Sequence, residues 1–455
     1  MRLQGTFIDT PSLGELIVYK DYILDVNDQG IILFFDSASA SSAKDLLEHD
    51  LEPIVLVPAG SFVLPTFCDL HLHAPQFLYQ GNGLDLPLLE WLDQYTYKAE
   101  ERMDADPILA QRVYTRLAER LVENGTGAVS LFGTIKEDTN LILATSMQAA
   151  GVRARVGKLS MDVSSRPTYV ESSTEKSLEA AQTFVDRCLL ATKPQSASEA
   201  RLIEPVLTPR FVPTCSNELL AGLGSLSSNR SLPIQSHLAE AQDQVEWVRS
   251  TRGKEDIDVF DGFNLLTPRT LQAHCTFLTP PDLNRVAAAG TSIAHCPLSN
   301  IYFSTEPFPL REALTKNVKV GLGTDVAGGY SLDIMNAMRS AVAVSRMRDN
   351  QRRVKHGGQG DSLAVTWQES LYLATRGGSI ALGISQKSGV FEVGAPFDAQ
   401  QIQLVDSSGT GVGHLDFFEY DTEKPSVTLN MIEKWWCIGD NRNRKAVWVQ
   451  GKRIL

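Results

Sequence analysis

Short apolar runs, bounded by glycine, proline and polar residues, recur through the middle of this chain. They are GTGAVSLFG (125–133), RARVGKLSM (153–161), RLIEPVLTP (201–209), SLPIQSH (231–237), TLQAHC (270–275), TSIAHC (291–296) and VKVGLGTD (318–325). Such runs predict strands buried on both faces, as in a parallel sheet. Amphipathic stretches separate them, for example DPILAQRVYTRLAERLVENG (106–125) and AQDQVEWVRSTRG (241–253), with apolar residues at helical spacing. Counting the run that ends at Asp69, there are eight strand–helix units over about 300 residues, the number and size of an α/β (β/α)₈ TIM barrel. A doubly wound open sheet is the rival, but no Gly-rich phosphate loop follows any run.

The two ends read differently. GTFIDTP, ELIVYKDYILDVND, GIILFFD and IVLVPAGSFVLPTF are β-rich and broken by turns, and so are GVFEVGAPFDAQQIQLVD and KAVWVQGKRIL near the C-terminal end. The Ser/Ala stretch at 36–50 predicts an exposed loop or short helix.

Composition adds exclusions. Hydrophobic residues make up 43% and charged residues 21%, values of an ordinary globular chain. A net charge of −12 argues against nucleic-acid partners and anionic membrane surfaces. No secretory h-region and no transmembrane-length apolar run is expected. Six cysteines without C-x-x-C pairs suit reduced thiols in a cytoplasmic setting. The basic stretch 345–362 reads as a solvated helix end and loop.

Chemistry enters at the ends of the runs. In a strand, residues i and i+2 share a face, so His71 and His73 in FCDLHLH project together. Alone, an H-x-H pair is weak. It gains weight because His237, His274 and Asp325 also end apolar runs, where a barrel carries its site. His49, His356 and His414 lie off such positions, and His295, before CPLSN, reads as structural or supporting. Imidazole nitrogens with a carboxylate suit zinc, whose bound water has a pKa near about 7. Glu240, three residues after His237, can move protons beside it. By itself it would read as a solvated helix-start glutamate.

DLHLHAP, SHLAE, AHC, HCPLSN and GLGTD, in this order, resemble the amidohydrolase superfamily of metal-dependent barrel hydrolases. HAPQFLYQGNGLDLPLLEWLDQYTY (73–97), EPVLTPRFVPTCS (204–216) and GTDVAGGYSLDIMNAMRSA (324–341) narrow the resemblance to its guanine-deaminating branch. It implies a barrel over 65–389 and a small composite β-sandwich from 1–64 and 390–455. It also implies one zinc per chain on His71, His73, His237 and Asp325, with His274 orienting the water or serving as an additional ligand. Glu240 and Asp325 would move protons, while Gln76, Arg210, Phe211, His237 and Trp91 would contact the purine. Core packing explains Trp91 and Tyr97 about as well. The reaction implied is guanine and water to xanthine and ammonia, in a homodimer.

Two departures separate other branches. No lysine ends the fourth run, TPRF, so the bridging lysine of binuclear relatives has no counterpart, and Lys158 reads as supporting. The H-x-E with P-C-x-x-C signature of cytidine deaminases is absent. A triazine chlorohydrolase or an adenosine-type deaminase would share the metal residues and differ at pocket positions such as Gln76 and Arg210. A non-catalytic barrel scaffold would lack a ligand, and none is missing.

Overall fold

The structure, a computed structural model, describes residues 1–455 apart from 50, 51, 197, 198, 356, 358, 424 and 425. The runs of the central part are strands: Phe67–His73, Thr126–Phe132, Arg153–Gly157 with Leu159–Ser160, Ile203–Pro205 with Thr208–Pro209, Ile234–Leu238, Thr270–His274, Ser292–His295 and Lys319–Leu322. All their pairings are parallel, in two four-stranded sheets and one short pair. Nearly every residue in them is buried, which is why the runs carry no polar alternation.

The fourth strand is broken for a local reason. Pro205 and Pro209 have no N–H to give a ladder. Val206 N–H instead reaches Val156 O at 3.0 Å, and Leu207 exchanges bonds with the next strand through Pro233 O (3.0 Å) and Gln235 N–H (2.9 Å). A second seam joins the last strand to the first: Asp325 N–H donates to His71 O (2.9 Å) and His73 N–H to Val326 O (3.1 Å).

Helices follow the strands and start where the sequence supplies caps. Asp106 accepts from Leu109 N–H ahead of Pro107–Glu123, and Ser216 accepts from Leu219 N–H ahead of Asn217–Arg230. Thr279 and Asp282 form a capping box before Pro280–Ala289. Helix Ile334–Lys355 carries most of the basic 345–362 stretch, and Asp349 pairs with both Arg352 and Arg353. The stretch also contains His356, which lies outside the described residues.

The chain ends meet in one sheet. Strands Arg2–Asp9, Ile17–Val26, Ile32–Ser37, Ile54–Leu56 and Ser61–Pro65 join Ala399–Gln403, Arg444–Val449 and Lys452–Arg453. The resemblance implies a composite β-sandwich from the two ends, and their eight strands are hydrogen-bonded in one sheet. It curls until Ile32 N–H meets Ala395 O (2.9 Å) and Gly394 N–H meets Ile32 O (2.8 Å), enclosing Phe7, Leu24, Phe391, Phe397 and Trp448. Two helices lie within the ends: Ser41–His49, in the stretch read as loop or short helix, and Leu429–Ile438, which the β-rich reading omitted. Met431, Ile432, Trp435 and Trp436 place its buried face at helical spacing.

Gly125 sits where the curled sheet meets the second parallel strand. Its φ is +75°, and a Cβ there would come within 2.4 Å of Arg444 Nε and Gln400 Oε1. Those two side chains bond each other at 2.7 Å, and Arg444 also donates to Glu123 O at 2.7 Å. Gly125→Ala is therefore expected to destabilise the fold by about 1–3 kcal/mol, seen as a lowered thermal midpoint at unchanged metal content.

Candidate active site

The C-terminal ends of the parallel strands converge on one buried cluster. The alternation predicted for His71 and His73 holds, with ring centroids 4.9 Å apart on one face of Phe67–His73. His73 Nε2 lies 3.0 Å from His237 Nε2, and Asp325 Oδ1 lies 3.1 Å from His71 Nε2 and 3.6 Å from His73 Nε2. His274 Nε2 stands 3.5 Å from Glu240 Oε1 and 3.8 Å from Asp325 Oδ2. Sequence separations of well over a hundred residues collapse here into a few ångströms.

Several main-chain positions that carry these groups are left-handed: Ala239 (φ +46°), His274 (+67°), Cys275 (+58°) and Asp325 (+50°). Such residues turn the chain sharply off the strand ends, and they cluster at functional sites because each stores strain.

Buried partners fix the rings. His237 Nδ1–H donates to Arg210 O at 2.6 Å, which leaves Nε2 facing the cluster. His274 Nδ1 bonds Asn300 Oδ1 at 2.9 Å, so its Nε2 also faces inward. Asp69 accepts from Thr324 N–H (3.0 Å), Thr324 Oγ1 and His71 N–H (3.3 Å), tying the first strand to the segment that carries Asp325. Burial pushes its carboxyl up to about 7.

The electrostatics suit a cation. Burial first, then the charges of neighbouring groups, holds His71, His73 and His237 well below the usual imidazole range, in the neutral form that coordinates. His71 Nε2 and His274 Nε2 are buried without a hydrogen-bond partner. Orphaned, converging nitrogens beside a carboxylate are what a divalent ion would satisfy. Ligand atoms of His71, His73 and His237 lie within 4.8 Å of one another, and so do those of His237, Glu240 and His274.

A cavity opens beside this cluster, lined by His73, Gln76, Trp91, Arg210, Phe211 and Glu240 among others. Gln76 Oε1 accepts from Ala327 N–H at 3.1 Å, so its amide N–H groups are the free donors. Trp91 also packs on Phe303, at 5.0 Å between centroids. Arg210 is buried, with Nη1 on Glu100 Oε2 at 2.7 Å and Nη2 lacking a partner. Tyr97 lies beneath that guanidinium, 5.1 Å away, rather than walling the cavity.

Other positions fall outside. His295 packs at a tilt against Phe308, 5.0 Å between centroids, and its carbonyl accepts from Gly323 N–H, a supporting arrangement. Lys158 pairs with Glu171 and Leu159 O. His414 is exposed near Asp440, and the side chain of His49 lies outside the described residues. Sequence reasoning missed Glu100 and the roles of Asn300 and Asp69. Asp69 had a signal, since it stands two residues before His71 in the same apolar run. Asn300 sat in HCPLSN, whereas Glu100 gave none.

Comparison with known proteins identifies the family. The amidohydrolase family model matches residues 62–454. Guanine deaminase of Mus musculus is 37% identical over 457 residues, spanning 99% of this chain and 96% of its own. That of Dictyostelium discoideum is 34% identical, over 99% and 97%. The crystal structure of guanine deaminase from C. acetobutylicum, with guanine bound in its active site, superposes with a TM-score of 0.85 at 30% identity, covering 100% of this chain and 99% of the other. With fold and sequence in accord along nearly its whole length, the chain belongs to the amidohydrolase family, among the guanine deaminases.

Proposed function

We propose that this chain hydrolyses guanine to xanthine and ammonia, using one zinc held by His71, His73, His237 and Asp325. The observation that carries the reading is the single cavity in which a cluster of neutral imidazoles and a carboxylate faces Gln76 and a buried arginine with a spare nitrogen. When bound, zinc supplies the nucleophile by acidifying a water. Asp325 and His274 would hold that water, and Asp325 would take its proton. Glu240 would give its proton to the ring nitrogen as oxygen adds at C2, then take the proton of the new C2 hydroxyl and pass it to the amine, so that the C–N bond breaks, ammonia leaves and the carbonyl forms. The proton held by Asp325 would return to Glu240. Arg210 Nη2 and the Gln76 amide address the ring's polar edge, with Phe211 and Trp91 against its faces.

The same proposal includes a closed (β/α)₈ barrel over 65–389 beside a composite β-domain from 1–64 and 390–455. Main-chain bonds across both seams between the parallel sheets support it. It also carries the homodimer implied by the resemblance and the cytoplasmic setting suggested by the cysteine pattern. The cysteines are all unpaired, and no helix among the described residues is long and apolar enough to cross a membrane. Light scattering of the purified protein reads the dimer.

Ammonia release from guanine, adenine, cytosine and ammeline tests the substrate. Guanine should be turned over far faster than the rest, and equal rates on ammeline would overturn the assignment. Arg210→Lys is the sharper probe, because lysine keeps a charge for Glu100 while losing the second guanidinium nitrogen. We expect a loss of about 1–3 kcal/mol, roughly ten- to hundredfold in kcat/KM for guanine, at unchanged zinc content. An unchanged kcat/KM would return Arg210 to a purely structural ion pair.

A further inference from the structure

Glu100 lies on helix Tyr97–Ala105, fully buried, 110 residues from the arginine it binds. A buried carboxylate is expensive unless paired, and a buried guanidinium likewise. Here each answers the other at 2.7 Å, while the face of Tyr97 supports the guanidinium at 5.1 Å. The arrangement is asymmetric: Nη1 is committed to Glu100, while Nη2 is buried with no hydrogen-bond partner among the described residues, on a side chain that lines the cavity. A ligand therefore meets a directed donor whose unit charge is already cancelled behind it.

We propose that Glu100 is a positioning residue that sets the charge class of the ligand: it aims Arg210 Nη2 at a neutral ring carbonyl and prevents the arginine from attracting anionic purines. A lone buried arginine would favour a carboxylate or an enolate over a carbonyl, because the acceptor's full negative charge adds a Coulomb attraction that a neutral carbonyl lacks. Glu100 removes that bias. The pocket then takes a neutral base and does not retain an acidic oxidised purine. This rests on the placement of Arg210 against the ring given above.

The test uses two probes of the same shape at neutral pH, purine-6-carboxamide and purine-6-carboxylate, as inhibitors of guanine turnover by the zinc-loaded enzyme. The parent enzyme should bind the carboxamide more tightly. Glu100→Gln, which retains an acceptor but no charge, should move the preference toward the carboxylate by at least about tenfold, as an uncompensated nearby charge does at an effective dielectric of about 20. The double variant Glu100→Gln with Arg210→Gln should return to the parent's preference. A merely structural Glu100 would weaken both probes alike, so an unchanged ratio in Glu100→Gln overturns the inference. If that variant does not fold, the parent alone decides, since tighter binding of the carboxylate by the parent overturns it too. A parent enzyme without guanine turnover would instead sink the substrate assignment itself.

Discussion

Glu240→Gln is expected to keep its zinc and its fold, still bind guanine, and lose at least about a hundredfold in kcat. Glu240 is buried at the cavity wall, with Oε1 3.5 Å from His274 Nε2. Burial, then the charge of Asp325, raises its carboxyl well above the usual range, which favours a group that must hold a proton before giving it up. Glutamine keeps the shape and can donate a hydrogen bond, but it cannot exchange protons with the ring and the amine. The competing assignment is concrete, because Glu240 also falls within ligand distance of His237 and His274. Metal analysis separates the two. A variant purified without zinc makes Glu240 a ligand, and one with zinc and a near-normal rate passes the proton step to His274 or Asp325.

His73→Ala should lose metal and activity together. Removing only a hydrogen-bond partner of a ligand typically lowers metal affinity about 10–100-fold, and removing the ligand itself should exceed that. His73 approaches both His237 and Asp325, so its loss opens the middle of the cluster. Elemental analysis of the parent should return one zinc per chain, and two tightly held metals would refute a mononuclear site. Zinc titrated into His73→Ala should restore little activity. Full recovery at modest zinc would mean that the other residues suffice.

What could be read from the sequence follows from distance along the chain. The parallel strands were legible because each is buried on both faces, and a run such as TLQAH announces that without reference to any neighbour. The residues of the buried cluster were legible because they end such runs. Glu100 was not, since a charged residue in KAEERMD looks like any solvated helix until Arg210 is folded against it. Helix Leu429–Ile438 was hidden by its strand-like surroundings, although its apolar spacing was helical. The break in the fourth strand was written plainly in Pro205 and Pro209, but which neighbours Val206 and Leu207 would choose depended on sheet geometry.

The sheet shared by the two chain ends has a consequence in time. Ser61–Pro65 takes Ala399–Gln403 as its antiparallel neighbour, and that strand in turn takes Arg444–Val449. On the ribosome, the first strands emerge hundreds of residues before the partners that complete their ladder. Ser61–Pro65 must wait with an unsatisfied edge, the kind that recruits other chains. Closing so long a loop adds only slowly growing entropy, so the delay threatens yield more than final stability. A nascent chain halted before residue 399 would carry the residues of the metal cluster and of the cavity, yet present a bare strand edge. Aggregation of such arrested chains, rather than loss of chemistry, is the failure this topology invites.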